Sequence, residues 1–463
     1  MTEMNCDLPK GWVLASLGNL VDFQYGKALI ESKRDQTGTV PVYGSNGLVG
    51  NHSIALTDRP SIIVGRKGAA GEVHLCNVPC WAIDTTYFVY VPEAIDIRFL
   101  YFSMSFVRLS SLDKSTAIPG LNRNDAYKVN IPLPPFPEQR RIVTKIEELF
   151  TRLDVGVEAL KKIQIQLKRY RQSVLKSAFS GELTAEWRKA HKDELEPASV
   201  LLEEINAERK KSGKYKELPP LDTADLAELP EGWRWVRIGE VESFIGSGIT
   251  PRGGKNVYVS SGIIFIRSQN VHPGGLRLDD VAYITPEINS TMERSIALPG
   301  DVLLNITGAS IGRSTSIPES FQQANVNQHV CIIRMYHGIL PKYLSFFLNS
   351  TFGQAQIFLA QGGVTRQGLN YSQVRSISFP FPSTPEQQKL IEEIERYFSI
   401  ADEVESTIKQ SLTQSERLRQ SILKKAFEGK LVPQNPNDEP AEKLLERITL
   451  EKVKARKVII NVR

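Results

Sequence analysis

The chain has 463 residues, a formal net charge of +5 and 41% hydrophobic residues, so it is too long for a single core and ordinary in composition. It shows no long apolar run, signal peptide or low-complexity tract, which excludes a membrane-spanning protein and predicts a cytoplasmic one. Four cysteines (Cys6, Cys76, Cys80 and Cys331) are too few for a disulfide framework. His74, Cys76 and Cys80 lie close enough to begin a zinc site, but no second ligand pair follows.

The chain opens with Leu8-Pro-Lys-Gly-Trp12, and the same pattern returns as Leu229-Pro-Glu-Gly-Trp233. A strand-rich segment follows each opening. In the first, Ser61–Val64 reads as a buried strand leading into the glycine-rich 65–71 stretch, and Tyr87–Val91 as the next strand, preceded by Asp84-Thr-Thr86. In the second, Asp301–Leu304 leads into 305–313, and Val330–Arg334 follows the polar run 325–329. Short helices are predicted at 97–109 and 341–359. Proline-punctuated run-ins at 131–134 and 379–382 lead stiffly into what comes next.

After each run-in comes Pro-Glu-Gln, at 137–139 and at 385–387, and a stretch of nearly fifty residues that aligns without a gap. Glu138 with Glu386, Phe150 with Phe398, Asp154 with Asp402 and Gly181 with Gly429 all lie 248 residues apart. Residues at alternating steps of four and three, all apolar but Gly156 and Ser177, form a line: Ile142, Ile146, Leu149, Leu153, Gly156, Leu160, Ile163, Leu167, Tyr170, Val174, Ser177. The second copy runs Leu390, Ile394, Tyr397, Ala401, Val404, Ile408, Ser411, Ser415, Leu418, Ile422, Lys425 in the same register, with a weaker seam around the two serines. This is a heptad seam, which predicts two long helices that need partners, preferably each other in antiparallel pairing. Proline and glutamate suit the helix starts, and Gly181 and Gly429 suit the ends. A constant offset fits a rod whose length is its function. Polar connectors with a short helix each follow, at 196–211 and 439–454.

Net charge alone does not argue for nucleic-acid binding. Residues 1–136 hold twelve basic against twelve acidic residues, and 228–384 hold twelve against ten. The familiar catalytic signatures are missing: there is no G-x-x-x-x-G-K-[ST] phosphate loop, no H-E-x-x-H, no G-x-S-x-G and no complete dinucleotide fingerprint. What remains fits recognition. Arg66 and Lys67, in a glycine-rich turn, suit phosphates as well as they suit a solvated turn. Gly44-Ser-Asn46-Gly47 is first a tight turn. Arg267-Ser-Gln269-Asn270 and Asn325-Val-Asn327-Gln328-His329 carry side chains able to pair with base edges or to cap strand ends.

The two Leu-Pro-x-Gly-Trp openings, the two Pro-Glu-Gln helices and the endings Leu175-Lys-Ser-Ala-Phe-Ser-Gly-Glu-Leu183 and Leu423-Lys-Lys-Ala-Phe-Glu-Gly-Lys-Leu431 resemble the specificity subunits of Type I restriction-modification systems, across essentially the whole chain. The resemblance implies an α+β fold: two pseudo-two-fold-related globular α/β target-recognition domains separated by two long antiparallel helices forming a coiled coil. The expected division is 1–136 (first recognition domain), 137–184 (first spacer helix), 185–227 (connector), 228–384 (second recognition domain), 385–432 (second spacer helix) and 433–463 (a tail equivalent to the connector). It further implies a subunit that is not an enzyme by itself. Its expected partners are double-stranded DNA with a bipartite site, two modification subunits and restriction subunits, and not a membrane. No cofactor is expected on this chain; S-adenosylmethionine, ATP and Mg belong to the partner subunits. Candidate DNA-binding residues are Asn46, Arg66, Lys67, Thr85, Arg267, Gln269, Asn270, Arg313, Asn327, Gln328 and Arg366. The competing reading is a two-domain coiled-coil scaffold or adhesion-like protein without nucleic-acid specificity.

Overall fold

Two helices of 44 residues each, Phe136–Phe179 and Thr384–Phe427, dominate the chain, and their bounds keep the 248-residue offset of the sequence repeat. The computed structural model describes residues 8–461 apart from 36, 114–118, 212–217, 225, 252, 254–256 and 362–367, and the backbone alone over 453–461. Packing divides the chain into two compact units, Met1–Lys161 with Ile408–Arg463, and Lys162–Thr407. Each long helix is therefore shared by the two units. Within each unit the first part of one long helix runs antiparallel to the last part of the other.

In the first unit, β1 (Val13–Ser16) pairs antiparallel with β9 (Asn130–Leu133), so the run-in to the helix is a strand. β2 (Phe23–Tyr25), β8 (Thr86–Val89), β5 (Ser61–Gly65) and β6 (Val73–Cys76) form an antiparallel sheet in that order. β3 (Val40–Gly44) forms a hairpin with β4 (Gly47–His52) and runs parallel to β7 (Trp81–Ala82). Ser61–Gly65 is buried throughout, which explains its unbroken apolar run.

The second unit repeats this frame. β10 (Arg234–Arg237) pairs with β21 (Ser378–Phe381). β11 (Glu242–Ser247), β20 (Val330–Met335), β17 (Val302–Asn305) and β18 (Ser314–Ser316) form the antiparallel sheet. β12 (Ile263–Ile266) runs parallel to β19 (Ala324–Val326) and antiparallel to β15 (Ala282–Ile284). The additions are β13 (Val271–His272) paired with β14 (Gly275–Leu276), and the edge strand β16 (Ile296–Ala297). Matching the ladders makes Tyr43 equivalent to Ile266 and Val64 to Leu304, so most of the surplus length of the second segment sits between β12 and β17.

The helix pairing is also repeated. Arg171 bonds Asp402 at 2.6 Å and Glu405 at 2.8 Å in the second unit. In the first, its repeat-mate Arg419 bonds Asp154, the mate of Asp402, and lies 4.6 Å from the Phe150 ring centroid. The seam differs from the expected one in the middle of the rods. Gly156, Ile163, Tyr170, Val404, Leu418 and Lys425 are exposed, whereas Val157, Gln164, Arg171 and Arg419 are half-buried and Ala426 is buried. A straight helix drifts about 20° per heptad from a strict 3.5-residue repeat, which moves the contact line from 156, 163 and 170 to the next residue. The Arg171 and Arg419 ion pairs then occupy places assigned to apolar side chains.

Helix ends and chain openings interlock within each unit. Gly181 (φ +77°) and Gly429 (φ +68°) reverse the chain in the left-handed region after the two long helices. A Cβ on Gly181 would lie 2.3 Å from Pro230 Cγ, and one on Gly429 2.2 Å from Pro9 Cγ, where Pro9 and Pro230 belong to the two Leu-Pro-x-Gly-Trp openings. Gly429→Ala should therefore lower stability by about 1–3 kcal/mol, because it combines left-handed strain with displacement of a proline. Denaturant unfolding of the variant would show this as a lower midpoint, and an unchanged midpoint would contradict it.

Beyond each glycine a further helix, Ala198–Lys211 or Ala441–Asn461, docks on the same opening. Ala198 N–H donates to Gly232 O and Ala441 N–H to Gly11 O, both at 2.9 Å. Arg209 donates to Gly239 O at 3.0 Å and Lys452 to Gly18 O at 3.0 Å. The tail over 441–461 thus holds beside Gly11 the place that the connector helix holds beside Gly232.

Candidate nucleic-acid interface

The strand frame brings three connections together in the first unit. The N–H groups of Arg66 and Lys67, just after β5, donate to Thr85 O at 2.8 and 3.1 Å, and Gly68 N–H donates to Pro119 O at 3.0 Å. Leu121 N–H returns to Arg66 O at 2.9 Å, and Lys67 forms an isolated bridge with Gly120. Main-chain bonds therefore fix the loop and leave its side chains free to vary. Lys67 is exposed, and Arg66 and Thr85 are half-buried. Asn46 is exposed in the two-residue turn between β3 and β4, where Gly44 faces Gly47.

The Arg66 guanidinium is held by Asp84 O, through Nε at 3.1 Å and Nη2 at 2.6 Å, and lies 5.6 Å from the Tyr25 ring centroid. Arg123 approaches the same ring at 5.2 Å and donates to Phe23 O at 3.3 Å. The sequence reading passed over Tyr25 and Arg123. The available signal was the frame Leu121-Asn-Arg123 against Leu369-Asn-Tyr371, at the same 248-residue offset but with an unlike third residue.

The second unit has the same frame with different side chains. Ile306 N–H donates to His329 O at 2.9 Å, Leu369 N–H to Ile306 O at 2.8 Å, and Thr307 bridges Gly368. Thr307 Oγ1 lies 2.5 Å from His329 Nδ1, and Gln328 Nε2 lies 3.0 Å from His329 Nε2. Thr250 donates to the Gln328 carboxamide oxygen. Gln328 and Arg313 are exposed. Arg267 donates to Asp280 O at 2.7 Å, and Gln269 Nε2 donates to the Asp280 carboxylate at 2.7 Å, so this pair is gathered around one acid.

One amide, Asn270, is corrected from a base-reading candidate to a support of its loop. Asn270 is buried: its oxygen accepts from Arg267 N–H at 2.9 Å and its nitrogen donates to Arg277 O at 2.8 Å. Bonds on both amide atoms leave Asn270 no free edge. Asn327 accepts from His329 N–H at 3.2 Å through its oxygen, and no bond among the described residues holds its amide nitrogen. Arg366 lies outside the described residues.

The cysteine pair of the first unit is internal. Cys76 and Cys80 are buried, and a hydrogen bond from Cys80 holds the Cys76 thiol down at about 6, while the same bond pushes Cys80 up. His74 Nε2 lies 3.2 Å from Ser45 O. Among the described residues no three His, Cys, Asp or Glu side chains are grouped to hold a metal ion, and no helix is long and apolar enough to cross a membrane.

The sequence profile of the Type I restriction modification DNA specificity domain matches residues 9–169 and 230–414, which together span both units. The chain belongs to this family. It is a specificity subunit, the part of a Type I restriction-modification system that recognises DNA sequence, and the scaffold reading is not favoured. The Type I restriction enzyme EcoBI specificity subunit of Escherichia coli is 28% identical over 409 residues, covering 84% of this chain and 79% of the relative. The EcoDI specificity subunit of Escherichia coli is 24% identical, covering 96% of each. Among solved structures, a chain from work on complex assembly and conformational transition of the type I R-M system superposes with a TM-score of 0.59. It is 20% identical and covers 92% of this specificity subunit and 99% of that chain, a likeness of fold.

Proposed function

We propose that the two units of this specificity subunit each read one half of a bipartite DNA site, and that the long helices set the spacer between the halves. Two modification subunits dock on the repeated regions and restriction subunits join them. S-adenosylmethionine, ATP and Mg bind those partners, and methylation of adenine at N6 and ATP-dependent cleavage take place in the cytoplasmic complex and not on this chain. The observation that carries the reading is the repeated loop frame. Arg66, Lys67 and Thr85 occupy the main-chain places of Ile306, Thr307 and His329, so one backbone presents two unlike sets of side chains. Phosphate contacts position a protein on the duplex, and base-edge contacts specify the sequence. Two frames with unlike side chains therefore suit two unlike half-sites.

Exchange of residues 13–120 for the corresponding segment of another specificity subunit tests this. The methylated sites mapped in a host carrying the chimera should change in one half only, with the other half and the spacer retained. A change in both halves would contradict the division of labour.

A further inference from the structure

Resting on that recognition reading, we propose that Arg66 and Arg123, both set against the Tyr25 ring, form a clamp for one DNA backbone phosphate in the first unit, and that the second unit has an uncharged device in the same place. Tyr25 is exposed by 53% and is ladder-paired with Tyr87 at the end of β2. The two guanidiniums lie 5.6 and 5.2 Å from its ring centroid, and each is tied down by a main-chain oxygen, that of Asp84 or of Phe23. No ion pair joins either of them to a carboxylate among the described residues. Two like charges converging on one ring repel each other, and an anion between them relieves the repulsion. A guanine edge takes a single guanidinium through O6 and N7, whereas a phosphate accepts from two at once. Both arginines are oriented before any ligand arrives, so little side-chain entropy is lost on binding.

The second unit shows what replaces the clamp. Ladder pairing of Ser247 with Cys331 makes Ser247 the counterpart of Tyr25, and the loop bonds make Ile306 the counterpart of Arg66. Tyr371, 248 residues after Arg123, follows Asn370 at a helix start as Arg123 follows Asn122. Its hydroxyl lies 2.6 Å from Ser247 Oγ. A cation, a ring and a second cation have become an isoleucine and a hydroxyl pair. The two half-sites are therefore held with unequal salt sensitivity at this place.

The test uses the full chain assembled with its modification subunits, and duplex DNA titrated over a series of KCl concentrations. Removing one phosphate contact should lower the magnitude of the slope of log K against log [salt] by about 0.9. The R66A/R123A double variant should also bind about tenfold more weakly near 0.1 M salt, equally on the methylated site and on its single-base variants. The R66K/R123K variant keeps the charges and should keep the slope, and Tyr371→Phe should leave it unchanged. An unaltered slope in R66A/R123A, or a loss confined to one base position, would overturn the clamp. If the unmodified complex prefers no bipartite site, the recognition reading fails, and the slope comparison on any duplex still decides the clamp.

Discussion

Glu386→Ala is expected to destabilise the second unit by about 3–5 kcal/mol, because it removes one partner of a buried ion pair and leaves the other uncompensated. Glu386 is buried at the start of the second long helix. Its carboxylate accepts from Trp233 Nε1 at 2.7 Å, from Thr184 Oγ1 at 2.7 Å and from Arg188 Nε at 2.7 Å. The Arg188 guanidinium also lies 5.2 Å from the Trp233 ring centroid. One side chain thereby fixes the tryptophan of the Gly-Trp opening, the end of one long helix and the start of the other. Urea unfolding followed by the fluorescence of the tryptophans should show the loss. A change under about 1 kcal/mol would mean that water replaces the carboxylate at little cost.

The repeat-mate Glu138 provides the contrast. It accepts from Trp12 Nε1 at 3.0 Å, its other oxygen is buried without a partner, and the nearby Arg141 is bonded to Asp438 at 2.6 Å. Burial pushes the Glu138 carboxyl up, helped by the Asp438 charge and against the lowering effects of Trp12, Arg141 and Gln434. A carboxyl whose folded value exceeds its unfolded value binds its proton more tightly in the folded state. Stability from this group is therefore largest in acid and falls as pH rises from the unfolded through the folded value, and the penalty is complete above both. Glu138→Gln should consequently be tolerated or stabilising at neutral pH, with the gain shrinking towards acid, whereas Glu386→Gln should be destabilising at neutral pH. Equal losses in the two variants would show that the charge environment does not distinguish the two sites.

The frame of the fold was legible because length is kept where helices and ladders are rigid. The offsets of 221 and 248 residues located both openings and both rods before any contact was known. Three things were not legible. The mid-helix seam slips by one residue because apolar character at Ile163 and Tyr170 says nothing about the cumulative drift of a straight helix or about the ion pairs of Arg171. Strands β13, β14 and β16 lie in the surplus of the second segment, where there is no copy to compare. Asn270 has the residue type of a base reader, but type does not tell an amide that faces a groove from one that closes a loop. Arg66 and Lys67 stand out in the sequence because glycine marks their turn. Tyr25 and Arg123 do not, since they meet only through the ladder of β2 with β8 and the start of a later helix.

Lengthening both long helices by three heptads should move the preferred spacer by about nine base pairs, and it should do so with less loss of activity than lengthening by one. The insertions belong after Lys161 and after Thr407, because the two compact units divide at those residues and an insertion there leaves the packing within each unit in place. Three heptads lengthen a helix by about 32 Å, and nine base pairs advance DNA by about 31 Å. Rotation agrees as well. A left-handed coil with a pitch of about 150 Å turns back by about 75° over that length, and nine pairs at about 10.5 per turn fall about 50° short of a full right-handed turn. The two half-sites then return to nearly the same faces. One heptad matches three pairs in length, but the coil turns back by about 25° while the DNA advances by about 100°, so one half-site faces away and the duplex has to be twisted to reach its domain. The measurement is methylation of substrates with fixed half-sites and a spacer varied one pair at a time. An active three-heptad variant with an unmoved optimum would show that the helices do not set the distance, while equal activity for one and three heptads would show that they set distance without setting rotation.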